Sequence, residues 1–240
     1  MSTTTTLLSV HGLEVRYGPA LALSGVSFDV PEKGALAVLG ANGAGKSTLA
    51  RTLSGLVPPV AGRVAFAGRD ITAASPSAVR RAGLVHLPEG RGVFPGLTVH
   101  ENLRMALTAA GTERAGAMDR AFTIFPVLAE RRRQRAGTLS GGEQQMLGLA
   151  RALMVSPRLV IADELSLGLA PTLVDVVFES LERARAAGAA IIMIEQFAHR
   201  ALEFADRCLV LQRGTVAWSG PAGAAGDEVL RHYLGAAETA

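Results

Sequence analysis

Three features of this 240-residue sequence predict an α/β fold built around a mostly parallel sheet. Apolar runs of strand length recur at 35 to 39, 84 to 87, 158 to 162, 189 to 194 and 207 to 211, and helical stretches separate the last three. Such alternation argues for parallel strands joined by right-handed crossovers. A glycine-rich turn ending in Lys46-Ser47 sits between a buried-strand run and a helical stretch. Finally, the pattern from about 91 to 140 changes to helical periodicity, with Leu103, Leu107, Phe122, Phe125 and Leu128 spaced for apolar helix faces, which argues for an inserted helical subdomain.

The elements follow in order. Residues 7 to 30 contain two apolar segments separated by Tyr17-Gly18-Pro19, a pattern of two strands and a turn. Residues 35 to 39 are a short buried strand ending at Gly40, and Lys46 to Leu56 reads as a helix closed by Gly55. Gly62 to Phe66 is strand-like and Ala67-Gly68-Arg69-Asp70 reads as a turn. A short helix follows with Ser75 as N-cap and Pro76 at its first position. A last strand is expected at 215 to 218. The whole is read as one domain over 7–236, with tails at 1–6 and 237–240.

Composition sets bounds on function. A hydrophobic fraction of 49% over this length is enough to bury a sizeable core. The 24 basic residues nearly balance the 21 acidic ones, so charge implies no polyanion-binding surface. The single cysteine, Cys208, lies in an apolar run and reads as strand filler; one thiol cannot staple a chain, which fits a reducing compartment. The N-terminal residues lack the layout of a secretory signal. No run approaches the ~18 apolar residues that cross a bilayer, so a membrane role is expected to come through a partner.

Gly40-Ala41-Asn42-Gly43-Ala44-Gly45-Lys46-Ser47 fits G-x-x-x-x-G-K-[ST], and Thr48 follows in the helix. The glycines let successive N–H groups turn toward phosphate oxygens, and the helix start adds partial positive charge. Lys46 is one of only two lysines; it is expected to reach the β- and γ-phosphates while the Ser47 hydroxyl ligates Mg²⁺. A phosphate loop does not by itself say how the energy is used. Leu159 to Ala162 is an apolar run ending in Asp163-Glu164. A sheet strand would present Asp163 beside the phosphate loop to hold Mg²⁺, with Glu164 as general base for the attacking water. Leu139-Ser140-Gly141-Gly142-Glu143-Gln144-Gln145 forms a second capped, glycine-opened helix start able to bind an anion. One ATP site does not need two such cradles. The economical reading is a dimer in which Ser140, Gly141 and Gly142 close over ATP held by another subunit.

These three motifs, in this order, resemble the ATP-binding-cassette superfamily over essentially the whole chain. The resemblance implies an ATPase with an antiparallel β lobe and the helical subdomain at 91–140. It assigns Tyr17 to adenine stacking and Ser166-Leu167-Gly168-Leu169 to the loop that crosses the dimer interface. Two positions depart from the general pattern: Glu89 stands where a glutamine usually faces the metal and the attacking water, and Gln196 stands at the switch position usually held by histidine. His199, three residues further on, reads as a surface residue. Together with the segments around Val93-Phe94-Pro95 and Leu97 to Leu103, these departures resemble the ATP-binding subunits of branched-chain amino acid importers, with urea and short-chain amide importers as the alternative. In that branch Leu165 replaces a usual proline. The resemblance implies ATP and Mg²⁺ as ligands and a peripheral place on the cytoplasmic face of the membrane. Its partners would be a second, identical or related ATPase subunit, two membrane subunits and, indirectly, a solute-binding protein. No nucleic-acid partner is expected, because cassettes of that kind carry a second cassette or a long coiled coil. P-loop kinases and GTPases lack the second cradle, and a nucleotide sensor has no need of Glu164.

Overall fold

The structure is a computed structural model that describes residues 5–88, 90, 92–110, 116–166, 168–195 and 198–226. Two sheets carry it. The first is a four-stranded antiparallel sheet in the order β2-β1-β4-β5, built from β1 (Thr6–Tyr17), β2 (Ala20–Pro31), β4 (Ala61–Phe66) and β5 (Arg69–Asp70). The second has six strands in the order β10-β9-β3-β8-β7-β6, from β3 (Ala35–Leu39), β6 (Leu84–Leu87), β7 (Leu159–Asp163), β8 (Ala190–Ile194), β9 (Arg207–Gln212) and β10 (Thr215–Pro221). The pairs from β9 to β6 are parallel, and β10 closes the edge as an antiparallel hairpin.

Parallel strands covered on both faces read as unbroken apolar runs, and β3, β7 and β8 are buried at every residue. Period-two alternation divides them between two cores. Ala37, Leu39, Val160, Ala162, Ile191 and Met193 point to one core, shared with the helical subdomain. Leu36, Val38, Leu159, Ile161, Ile192 and Ile194 point to the other, shared with the antiparallel sheet and α1 (Lys46–Leu53). At roughly 1.5–3 kcal/mol per large buried aliphatic chain, these layers hold the strand ends that build the site.

The helices are α1, α2 (Pro76–Ala82), α3 (Val99–Ala110), α4 (Ala117–Ile124), α5 (Pro126–Glu130), α6 (Gly141–Leu153), α7 (Pro171–Ala186) and α8 (Ala198–Phe204). Ser75 caps α2, its side chain accepting from the Ala78 N–H, with Pro76 in the first turn as expected. Two boundaries differ from the sequence reading. Helix α1 stops at Leu53 rather than Leu56: the Ser54 hydroxyl donates to Ala50 O at 2.8 Å, and Gly55 leaves the helix at φ 74°. The stretch 67–70 is a turn only at Ala67 (φ 51°) and Gly68 (φ 75°); Arg69 and Asp70 already pair with β4. Positive φ at both central residues is what a two-residue hairpin turn requires. Among the described residues no helix is long and apolar enough to cross a membrane.

Candidate nucleotide site

The chain leaves β3 at Leu39 and enters α1 at Lys46, and the six residues between make the phosphate loop. Two glycines are required by close approach. A Cβ at Gly40 would lie 2.5 Å from Leu211 O, and one at Gly45 would lie 2.7 Å from Leu23 Cδ2. Gly45 also holds φ 108° and serves as the N-cap of α1 without a side-chain acceptor, so the first N–H groups of α1 face the loop without a cap. The Lys46 side chain is buried at 5% exposure. Its Nζ donates to Gly40 O at 2.6 Å and to Ala41 O at 3.4 Å, and stands 3.7 Å from Glu164 Oε1. A cation held by two carbonyls and one carboxylate is pre-aimed, and it has more to gain from phosphate oxygens than from these partners.

A cleft of about 650 Å³ opens over this loop, lined among others by Asn42, Gly43, Ala44, Ser47, Thr48 and Glu164. Leu21, Ala22, Arg213 and Gly214 also line it. The sequence reading missed these four. The one signal was the pair Arg213-Gly214 between two strand-like runs, a hairpin turn that the Gly214 N–H fastens to Ala44 O at 3.0 Å. Tyr17 ends β1 with 45% of its surface exposed and is not among the residues lining this cleft.

The strand order places β7 two strands from β3, so Asp163 and Glu164 arrive at the same sheet end as the phosphate loop. Asp163 is buried at 3% exposure, and its Oδ1 has no hydrogen-bond partner among the described residues. Its Oδ2 lies 3.7 Å from Nε2 of His86, whose Nδ1 is 3.2 Å from Ser54 Oγ. His86 was not foreseen; β6 pairs with β7 so that Leu87 faces Ala162 and His86 faces Ile161. Buried polar atoms are normally satisfied, so the orphaned Asp163 oxygen points to an absent ligand. Magnesium fits this donor set, because it is usually held by one or two carboxylates or hydroxyls plus substrate phosphates. Among the described residues no cluster of three or more His, Cys, Asp or Glu could hold a metal by itself.

Glu164 takes φ 50°, a left-handed conformation that costs a non-glycine residue about 1–2 kcal/mol. Its N–H donates to Ile194 O at 2.8 Å.

The second helix start forms as expected. The Ser140 side chain accepts from the Glu143 N–H while the Glu143 carboxylate accepts from the Ser140 N–H at 2.8 Å, a complete capping box. These bonds, led by the Ser140 N–H, hold the Glu143 carboxyl below the usual glutamate range. The N–H groups of Gly141 and Gly142, at the first two helical positions, have no intrahelical acceptor. A Cβ at Gly142 would lie 2.4 Å from Leu173 Cδ1, so glycine also lets α6 approach α7. Neither Ser140, Gly141 nor Gly142 lines the phosphate cleft of its own chain.

Glu89, Leu167 and Gln196 lie outside the described residues. Their neighbours are placed: Glu195 is buried at 3% exposure, and His199 is on the surface, as expected. Phe94 is 43% exposed, with the Arg151 guanidinium 4.8 Å from its ring centroid. Asn102, fully buried, accepts from the Phe94 N–H at 2.8 Å and donates to Phe94 O at 3.0 Å, which fixes this loop on α3. The gripping role of Asn102 was not legible in the sequence.

Comparison with known proteins agrees with this geometry. The ABC transporter family profile matches residues 23–166. The chain is 41% identical over 232 residues to the high-affinity branched-chain amino acid transport ATP-binding protein BraG of Pseudomonas aeruginosa, covering 95% of this chain and 100% of that protein. It is 35% identical to the probable branched-chain amino acid transport ATP-binding protein LivF of Archaeoglobus fulgidus, covering 94% and 95%. Among solved structures, an ATP-binding subunit of an ABC transporter superposes with TM-score 0.83 at 29% identity, covering 94% of this chain and 92% of that one. A cassette in its ADP conformation superposes with TM-score 0.81 at 27% identity, covering 95% and 94%.

Proposed function

Because the chain belongs to the ABC transporter family of ATP-hydrolysing subunits, we propose that it powers uptake of branched-chain amino acids through partner membrane subunits. The observation that carries the working unit is the separation of two phosphate cradles. One lies under the cleft with Lys46; the other, at Ser140 to Gly142, does not reach that cleft. The second cradle therefore completes the site of another ATPase subunit, identical or related, and a pair closes around the nucleotide. The solute follows from the relatives named above, both branched-chain amino acid proteins, which favours it over the urea and short-chain amide alternative.

In this reading the loop from Gly40 to Ser47 and Thr48 binds the phosphates of ATP, and Tyr17 offers its exposed ring to adenine. Lys46 exchanges the Gly40 and Ala41 carbonyls for β- and γ-phosphate oxygens. Ser47 and Asp163, with Glu89, would hold magnesium, which neutralises phosphate charge when bound. Glu164 takes a proton from the attacking water as the terminal P–O bond breaks to give ADP and phosphate. Gln196 senses the γ-phosphate by hydrogen bonding. The loop around Phe94 and Pro95 faces the membrane subunits on the cytoplasmic side, and a solute-binding protein acts on the far side.

Two experiments test this. ATP turnover per molecule is expected to rise with protein concentration or with added partner; a constant rate down to low nanomolar concentration refutes the paired site. Disrupting the gene is expected to abolish uptake of labelled leucine, isoleucine and valine. Intact uptake of these with loss of urea or amide uptake overturns the solute assignment.

A further inference from the structure

The turn that carries Glu164 has an unusual support. A left-handed conformation at a glutamate has to be held by tertiary contacts. Glu195, at the end of β8, provides them. Its Oε2 accepts from the Ser166 hydroxyl at 2.5 Å and its Oε1 accepts from the Ser166 N–H at 3.3 Å. Both side chains are buried, at 3% and 4% exposure. One residue earlier on the same strand, Ile194 O takes the Glu164 N–H. From the opposite side, Gln145 Nε2 of α6 donates to Leu165 O at 3.2 Å. Three consecutive residues after β7 are thus tied down, two of them by consecutive residues of β8 and its exit.

We infer that Glu195 is a positioning residue for the base Glu164, acting through the turn that carries it. A buried carboxylate accepting two hydrogen bonds is a strong, geometrically specific tie. Glu195 is not among the residues lining the phosphate cleft, and its bonds to Ser166 reach the turn two residues beyond the base. Glu195 also immediately precedes Gln196, so the strap joins the backbone of the base to that of the switch position. The inference rests on the reading of Glu164 as base.

The test compares Glu195→Ala, Glu195→Gln and Ser166→Ala with wild type in the full chain at saturating Mg-ATP. A loosened base costs turnover and leaves ground-state binding alone, so kcat should fall by about tenfold to a hundredfold while the Kd of a non-hydrolysable ATP analogue stays within twofold. Glu195→Gln keeps the volume and one acceptor and should recover part of kcat, which a merely space-filling role would restore in full. The Glu195→Ala/Ser166→Ala double variant should be no worse than the poorer single one, because both remove the same tie. Where Glu195→Ala fails to fold, Ser166→Ala and Glu195→Gln decide alone. Wild-type kcat in these variants, a raised Kd with unchanged kcat, or multiplicative losses in the double variant each overturn the inference. Glu164→Gln separates the two readings. Normal hydrolysis in Glu164→Gln removes the base assignment itself; loss in Glu164→Gln with wild-type kcat in the Glu195 and Ser166 variants removes only the strap.

Discussion

Glu164 sits at φ 50° with a glutamate side chain, and this makes a stability prediction separable from chemistry. Glycine occupies that region without the clash between Cβ and carbonyl, which is worth about 1–2 kcal/mol. Against this, glycine has more freedom to lose on folding, about 0.4–1 kcal/mol. Glu164→Gly should therefore gain roughly 1 kcal/mol. Removing the carboxylate also removes the 3.7 Å contact with Lys46, so wild type is the wrong reference. Glu164→Ala loses that charge pair too and keeps both the Cβ and the left-handed backbone, and the difference between Glu164→Gly and Glu164→Ala isolates the conformational term. For a chain of this size 1 kcal/mol corresponds to about 2–4 °C in Tm. Thermal and urea unfolding without nucleotide should place Glu164→Gly above Glu164→Ala by that amount, while both lack ATP hydrolysis. Nucleotide must be absent because ligand binding to the native state shifts Tm by itself. Equal or lower stability of the glycine variant would show that the turn stores no strain, and that the base has been placed there without thermodynamic cost.

Other outcomes follow from the same site. Lys46→Ala removes a charge-assisted phosphate contact of about 1.5–3 kcal/mol, so the Kd for ATP measured by titration should rise by roughly tenfold or more. Gln196→Ala should lower turnover by roughly tenfold to a hundredfold through one lost bond to a charged group, while His199→Ala stays near wild type; the reverse ranking in a turnover assay rejects the switch assignment. Replacing Phe94 and Pro95 by alanine should spare basal hydrolysis, because Asn102 grips the backbone of Phe94 rather than its ring, and should weaken transport in vesicles containing the membrane subunits. Burial pushes the Cys208 thiol up to about 12, so almost no thiolate exists at neutral pH; maleimide labelling should be slow in the native protein and fast in urea.

Local chemistry was readable along the chain because its partners are close in sequence. The strand, the phosphate loop and α1 occupy consecutive residues, and the Ser140–Glu143 capping box spans four residues. Turn geometry and helix caps depend on such short separations, and so the order of motifs was enough to expect which residues meet phosphate. Unbroken apolar runs and helical spacing likewise marked the covered strands and the presence of a helical subdomain, since burial follows the side-chain repeat. Strand neighbours are a different matter. Nothing in an apolar run of five residues says that β3 lies between β9 and β8, or that β6 flanks β7. That order is settled by how two cores close at once. It brings His86 to Asp163, Arg213 and Gly214 to the rim of the cleft, and Glu195 to Ser166, 29 residues away in the chain. The left-handed backbone of Glu164 belongs to the same class. A glutamate has no intrinsic preference for it, and hydrogen bonds from Ile194, Glu195 and α6, fixed by tertiary packing, hold the turn in that conformation.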